Sequence, residues 1–211
     1  MNSLSELSSL VQIELVDCPP TLCINALRRA VREFLRRTGA WREDLTYDLV
    51  ADQTDYTLAS AVLTATIYRI IGVNINAGDG DDLNATEYEF YDNVTLALDA
   101  APVDALTDGL VLEVAIIPPI VGTDFTDSGI LDRWGEAFQA KAIAIQASQK
   151  KKPWSDPDLA AEKQIEYTSA IKACLVELST TGFKQGQAYR ANVLRQFSNR
   201  PGLTTANSQR F

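Results

Sequence analysis

The stretch INALRRAVREFLRRTGAW, residues 24–41, decides how the rest of the chain is read. Ile24, Leu27, Val31, Phe34 and Leu35 recur at three- and four-residue spacing and mark one apolar face of a helix. Arg28, Arg29, Arg32, Arg36 and Arg37 cover the remainder. Thr38-Gly39 supplies the stop, glycine being suited to the left-handed position after a helix. The arginine face admits three uses: a surface for DNA, a solvated face, or a contact to an acidic neighbouring subunit.

Upstream, Ser3-Leu4-Ser5-Glu6 fits a capping box, and Leu4, Leu7, Leu10 and Val11 follow at helical spacing. This predicts a first helix over 4–14, ended before Pro19-Pro20. Downstream, from Asp44 to Asp132, helical periodicity gives way to alternation. Segments 56–58, 68–75, 88–90, 94–98 and 110–116 read as strands, punctuated by Gly78–Asp82, Ala101-Pro102, Thr107–Gly109 and Pro118-Pro119. A small β domain of about five to seven strands is expected. The GDGDD run at 78–82 lacks the register of a calcium loop and reads as a hairpin turn.

Helical spacing returns after Ser128. Leu131, Trp134, Phe138, Ala142 and Ile145 share a face, and the helix is expected to reach Lys152. Lys150, Lys151 and Lys152 would then sit in its last turn, complementing the helix dipole, with Pro153 as the stop. A membrane or nucleic-acid role for these lysines needs a longer basic cluster. Ser155 or Asp156 caps the next helix and Pro157 suits its first position. Ala161, Ile165, Thr168, Ile171, Leu175 and Leu178 predict its buried stripe, and Gly182 its end. The expected fold class is α+β: a bundle of about four helices (1–43 and 128–182) flanking an inserted small antiparallel β domain (44–127), with an extended C-terminal arm (183–211). The flanking helices must meet in space to form one bundle.

Charge is unevenly spread. The chain has 211 residues and a net charge of −9. Residues 44–132 hold 17 acids and one base, Arg69, for −16, whereas 182–211 hold five bases and no acid. Apolar content of 46% fits a chain with a sizeable core. The N-terminal stretch has acids where a signal peptide has a basic start, and no apolar run reaches membrane-span length, so a soluble product made in the cytoplasm is expected. Three cysteines, Cys18, Cys23 and Cys174, read as buried free thiols rather than a disulfide framework or a zinc site.

The chain has no histidine, which removes the usual general base and the commonest metal ligand. Phosphate-binding loops and a nucleophile elbow are missing from the sequence as well. No catalytic residue, metal ligand or cofactor is assigned, and a non-enzymatic role is expected.

Four segments in order resemble a known family: Pro20–Trp41; Ala51–Leu58 followed by Tyr68–Val73; Leu131–Trp134 with Ala140–Ala142; and Lys152–Ala160. Together they are similar to the head-to-tail adaptors of tailed bacteriophages, the tail tubular protein A-like group of the neck. The resemblance covers about residues 15–182. It implies a ring, usually of twelve copies, that joins the portal protein to the tail nozzle or another tail protein without catalysis. It also implies a place in the virion neck, with genomic DNA passing through the ring and no sequence-specific binding. Trp41, Trp134, Pro153 and Trp154 fall within or beside the matching segments and are expected to be structural.

The tail lies beyond the resemblance and is read physically. Tyr189, Val193 and Phe197 recur every four residues, so 185–198 can form a short helix with one apolar stripe. Arg190 and Arg195 flank it, Asn199-Arg200-Pro201-Gly202 breaks it, and Leu203–Phe211 continues extended. Tyr189, Arg190, Val193, Arg195, Phe197, Arg200 and Phe211 are the expected portal-binding residues. The alternative function is binding of single-stranded nucleic acid by this basic, aromatic tail. Asp79, Asp81, Asp82, Glu87 and Glu89 are expected to line the channel or face the tail, because acidic walls repel DNA phosphates. A solvated acidic outer face is the other reading.

Overall fold

The computed structural model describes residues 3–60, 62, 65–75, 87–119, 125 and 127–181. Four helices and six strands follow in the order α1 (Leu4–Glu14), α2 (Pro20–Thr38), β1 (Arg42–Leu49), β2 (Asp55–Thr57), β3 (Thr66–Ile75), β4 (Tyr88–Tyr91), β5 (Thr95–Leu98), β6 (Leu106–Ile117), α3 (Ser128–Ala147) and α4 (Pro157–Thr181). The fold is α+β, with helices before and after the strands. The expected C-terminal arm and the turn at 78–82 lie outside the described residues.

Each helix begins and ends for a local reason. Ser3 caps α1, its hydroxyl accepting the Glu6 amide at 3.3 Å. Leu4, Leu7 and Val11 are buried beneath it. In α2, Cys23, Leu27, Ala30, Val31, Phe34 and Thr38 face inward. Gly39 terminates the helix at φ 66° and ψ 32°, and its amide donates to the Leu35 carbonyl at 2.7 Å. Asp127 caps α3 through the Ile130 amide at 3.0 Å. Asp156 caps α4, accepting from the amides of Asp158 and Leu159.

Two of the sequence expectations need correction. The first helix after the strands ends at Ala147, not Lys152, and has no basic residue in its last turn. The Ala147 carbonyl is taken by the Asp156 amide at 3.0 Å, which closes an α3–α4 connection holding both the three lysines and Pro153, so the helix has ended before either. The stripe expected on α4 holds in its second half, where Ile171 is buried and Leu175 and Leu178 pack against the helical cluster, but fails in its first half. Ile165 is 69% exposed and Ala161 is exposed, whereas Ala160, Tyr167, Ile171 and Cys174 are buried. The helix carries apolar residues on both sides, and spacing alone does not say which side packs.

The strands form two three-stranded antiparallel sheets, β1-β6-β3 and β2-β5-β4. Alternation along β6 turns Leu110, Leu112, Val114 and Ile116 inward. They share one buried cluster with Leu45, Ile70 and Val73 of the same sheet and with Tyr56, Leu96 and Leu98 of the other. β4 and β5 are joined by the three residues 92–94, in which Asp92 and Asn93 are both at positive φ (57° and 56°) and the Val94 amide donates to the Tyr91 carbonyl at 3.3 Å.

A second cluster holds the helices, with Phe34 at its centre. Its ring lies 5.4 Å from Trp134, 5.2 Å from Phe138 and 6.2 Å from Tyr167, so α2, α3 and α4 meet on one aromatic side chain. Trp41 packs against both clusters, edge-on to Phe125 at 4.9 Å. Its carbonyl accepts the Ile116 amide at 2.9 Å. The outer side of β6 is therefore covered near its end: Ala115 is buried beneath Gly39, and Ile117 belongs to the helical cluster.

Candidate interaction surfaces

Three charged surfaces follow from this arrangement. The first is the outer face of the β2-β5-β4 sheet. Asp55, Ala97 and Glu89 lie in one row across its three strands, and Thr57, Thr95 and Tyr91 in the next. The Asp99 amide donates to the Glu87 carbonyl at 3.0 Å, which continues the ladder by one row. Asp55, Glu87, Glu89 and Asp99 are all exposed on this side, while Tyr56, Leu96 and Leu98 alternate inward and are buried. Asp55 and Glu89 stand two strands apart, about 10 Å. That is about one Debye length at 0.1 M salt, so the sheet tolerates their repulsion while presenting a negative face.

The second is the outer side of α2. Arg32 and Arg36 each lie two residues from Phe34, about 200° round the helix from the side that meets α3. Arg32 donates to the Pro118 carbonyl. Arg36 stacks over the Tyr68 ring at 5.3 Å, and Arg37 pairs with Glu33 at 3.6 Å. Arg29 and Arg36 are exposed. Burial, and then the nearby Arg36, lower the pKa of the Arg32 guanidinium, which marks a crowded positive stripe.

The third is a groove of about 260 Å³ lined by Glu14, Glu136, Gln139, Ala140, Ile143, Lys163 and Glu166. It lies between the C-terminal end of α1, the middle of α3 and the first half of α4. Lys163 bridges Glu14 at 3.3 Å and Glu166 at 3.2 Å, and Gln139 donates to Glu14 at 3.3 Å. Burial alone would lower the Lys163 pKa, but Glu166 and Glu14 outweigh it and hold the ammonium above its ordinary value. Glu136 is exposed and makes no ion pair among the described residues.

The expected site residues divide accordingly. Glu87 and Glu89 lie together on the acidic sheet face. Asp79, Asp81 and Asp82 lie outside the described residues, as do Tyr189, Arg190, Val193, Arg195, Phe197, Arg200 and Phe211. Trp41, Trp134 and Trp154 are half-buried against the helical cluster. Pro153 is exposed in the α3–α4 turn, with Lys152 near the Trp154 ring at 5.8 Å. The groove escaped the sequence reading because its residues come from three helices, and Glu14 of α1 lies more than a hundred positions before those of α3 and α4. The only local trace is the Lys163–Glu166 spacing.

All three cysteines are buried free thiols, and the sulfurs of Cys18 and Cys23 are 3.4 Å apart. Among the described residues no group of three or more His, Cys, Asp or Glu is placed to hold a metal ion. No described helix is long and apolar enough to cross a membrane. No model of a known protein family matches the chain, and no curated protein matches it.

Proposed function

We propose that this chain is a structural protein of a tailed-phage neck, a ring-forming adaptor that joins the portal to the tail and forms part of the DNA channel. The observation that carries this reading is the ordered set of four motifs between Pro20 and Ala160. Their tryptophans, Trp41, Trp134 and Trp154, pack against the helical cluster, so the motifs coincide with the residues that hold the bundle together. The role calls for no catalysis, cofactor or metal. Its partners are the portal protein, a tail nozzle or other tail protein, further copies of itself in a ring of about twelve, and DNA in transit. The twelve is the number the resemblance implies.

Charge supports the same reading. DNA carries about one negative charge per 1.7 Å of duplex. A channel wall or tail-facing surface bearing Asp55, Glu87, Glu89 and Asp99 repels it and lets it slide. The basic segment 183–211 is the anchor to the portal. Ordering such a segment costs free energy that only the complex returns, which makes assembly sequential, with the portal first.

Sedimentation of the full chain and of residues 1–182, each with and without a portal ring, tests this. The full chain is expected to be monomeric when dilute and to co-sediment with the portal, while 1–182 stays behind. A full chain that ignores the portal but binds single-stranded nucleic acid at low salt, with affinity falling steeply as salt rises, would instead assign the tail to phosphate contacts.

A further inference from the structure

The arginine stripe of α2 and the groove between α1, α3 and α4 have no role in the account so far, and they lie on opposite sides of the bundle. Trp134 and Phe138 of α3 face Phe34 of α2. Glu136 is two residues from each, about 200° away round the helix, so the groove opens on the side of α3 turned away from α2. Arg32 and Arg36 are turned away from α3 by the same argument.

We propose that copies of this chain associate head to tail, the arginine stripe of α2 in one copy seating on the acidic groove of the next. The inference rests on the ring reading and names the two surfaces that would make the ring. Charge selects the occupant. Three carboxylates line the groove against one lysine, and that lysine is already bridged by two of them. Glu136 is left to receive a guanidinium. Ala140 and Ile143, both buried, close the floor of the groove.

Apolar surface lies close by. Ile13 and Ile165 precede Glu14 and Glu166, which meet on Lys163, and the two side chains are 72% and 69% exposed. Two different patches meeting head to tail form a heterologous contact, which closes into a ring when the rotation between copies allows it. Duplex DNA is the weaker occupant for the stripe, because the acidic sheet and the net charge of −9 oppose its approach.

The test is sedimentation velocity of the full chain, from micromolar to millimolar, at low and raised salt. The sedimentation coefficient of the native chain is expected to rise with concentration, and added salt is expected to abolish the rise. Arg29→Glu with Arg36→Glu should remove self-association, as should Glu136→Arg. Combining all three changes in one chain should restore it. Far-ultraviolet circular dichroism checks that each variant is folded.

A native chain that stays monomeric at millimolar concentration and low salt would overturn the inference. So would reversal variants that associate as the native chain does, or a combined variant that fails to recover. Loss of duplex DNA binding in Arg29→Glu/Arg36→Glu, with no self-association in the native chain, would assign the stripe to phosphate instead. No portal is present in the test. A chain that self-associates through these surfaces yet fails to bind a portal keeps this inference and loses the adaptor reading. The reverse result separates them the other way.

Discussion

Gly39 joins the helices to the strands. Its left-handed backbone ends α2, and the space above its Cα is filled by Arg69 Nη2 and the methyl of Ala115. An alanine there takes on a strained backbone and collides with the guanidinium. Gly39→Ala is expected to destabilise the chain by about 1–2 kcal/mol from the backbone, the arginine tip being able to move aside. Urea denaturation reads this as a lowered midpoint, and an unchanged midpoint would contradict it. The glycine's role as a helix stop was legible from Thr38-Gly39 in the sequence. Its second role was not, because Arg69 lies thirty positions away and only the tertiary fold brings it there. The approach of Cys18 to Cys23 was hidden for a similar reason, since it depends on how the turn before α2 folds back.

At the scale of elements, the helices were legible and one strand was missed. The segment Arg42–Leu49 reads REDLTYDL, in which only Leu45 and Leu49 are buried. Its pairing with β6, reinforced by the Arg42–Glu113 ion pair at 2.7 Å, makes it a strand despite its charges. Intrinsic strand preference is weak beside such pairing. The face of α4 was legible in its second half, where Ile171 is buried and Leu175 and Leu178 pack on the helical cluster, and misassigned at Ala161 and Ile165, which are exposed while Tyr167 is buried. The start of α4 was legible, since Asp156-Pro157 is a cap followed by a first-turn proline. Asp156→Ala removes the acceptor for two amides and is expected to cost about 1 kcal/mol. Its thermal midpoint should fall, while Ser155→Ala, which removes no cap hydrogen bond, should leave it in place.

For the whole molecule, the absence of histidine and the buried thiols set the pH dependence. Burial, with Cys23 adding to it, pushes the Cys18 thiol up from 9.0 to about 12, and burial pushes Cys174 up to about 11. Burial raises Tyr167 as well. The folded chain keeps these protons where the unfolded chain releases them. Their stabilisation is complete below the unfolded pKa and is lost as pH rises through the folded one. Urea midpoints should therefore change little between about pH 6 and 8, where no histidine titrates. They should then fall from about pH 9 towards about pH 12, across the window set by the two thiols. A step near neutrality, or a plateau through the alkaline range, would contradict this.

Acidic strands, a bundle charged differently on its two sides and a basic C-terminal segment are the features on which the proposed adaptor role rests. The charge imbalance along the chain was legible in the sequence. The opposition of stripe and groove was not, because it depends on how α2 and α3 face each other. Electron microscopy of a portal ring incubated with the full chain tests the adaptor role. An added ring of density is expected on one face of the portal, following the portal's symmetry and lost when residues 1–182 replace the full chain. Portal rings that remain bare at saturating protein, under conditions where the chain is folded, would contradict it.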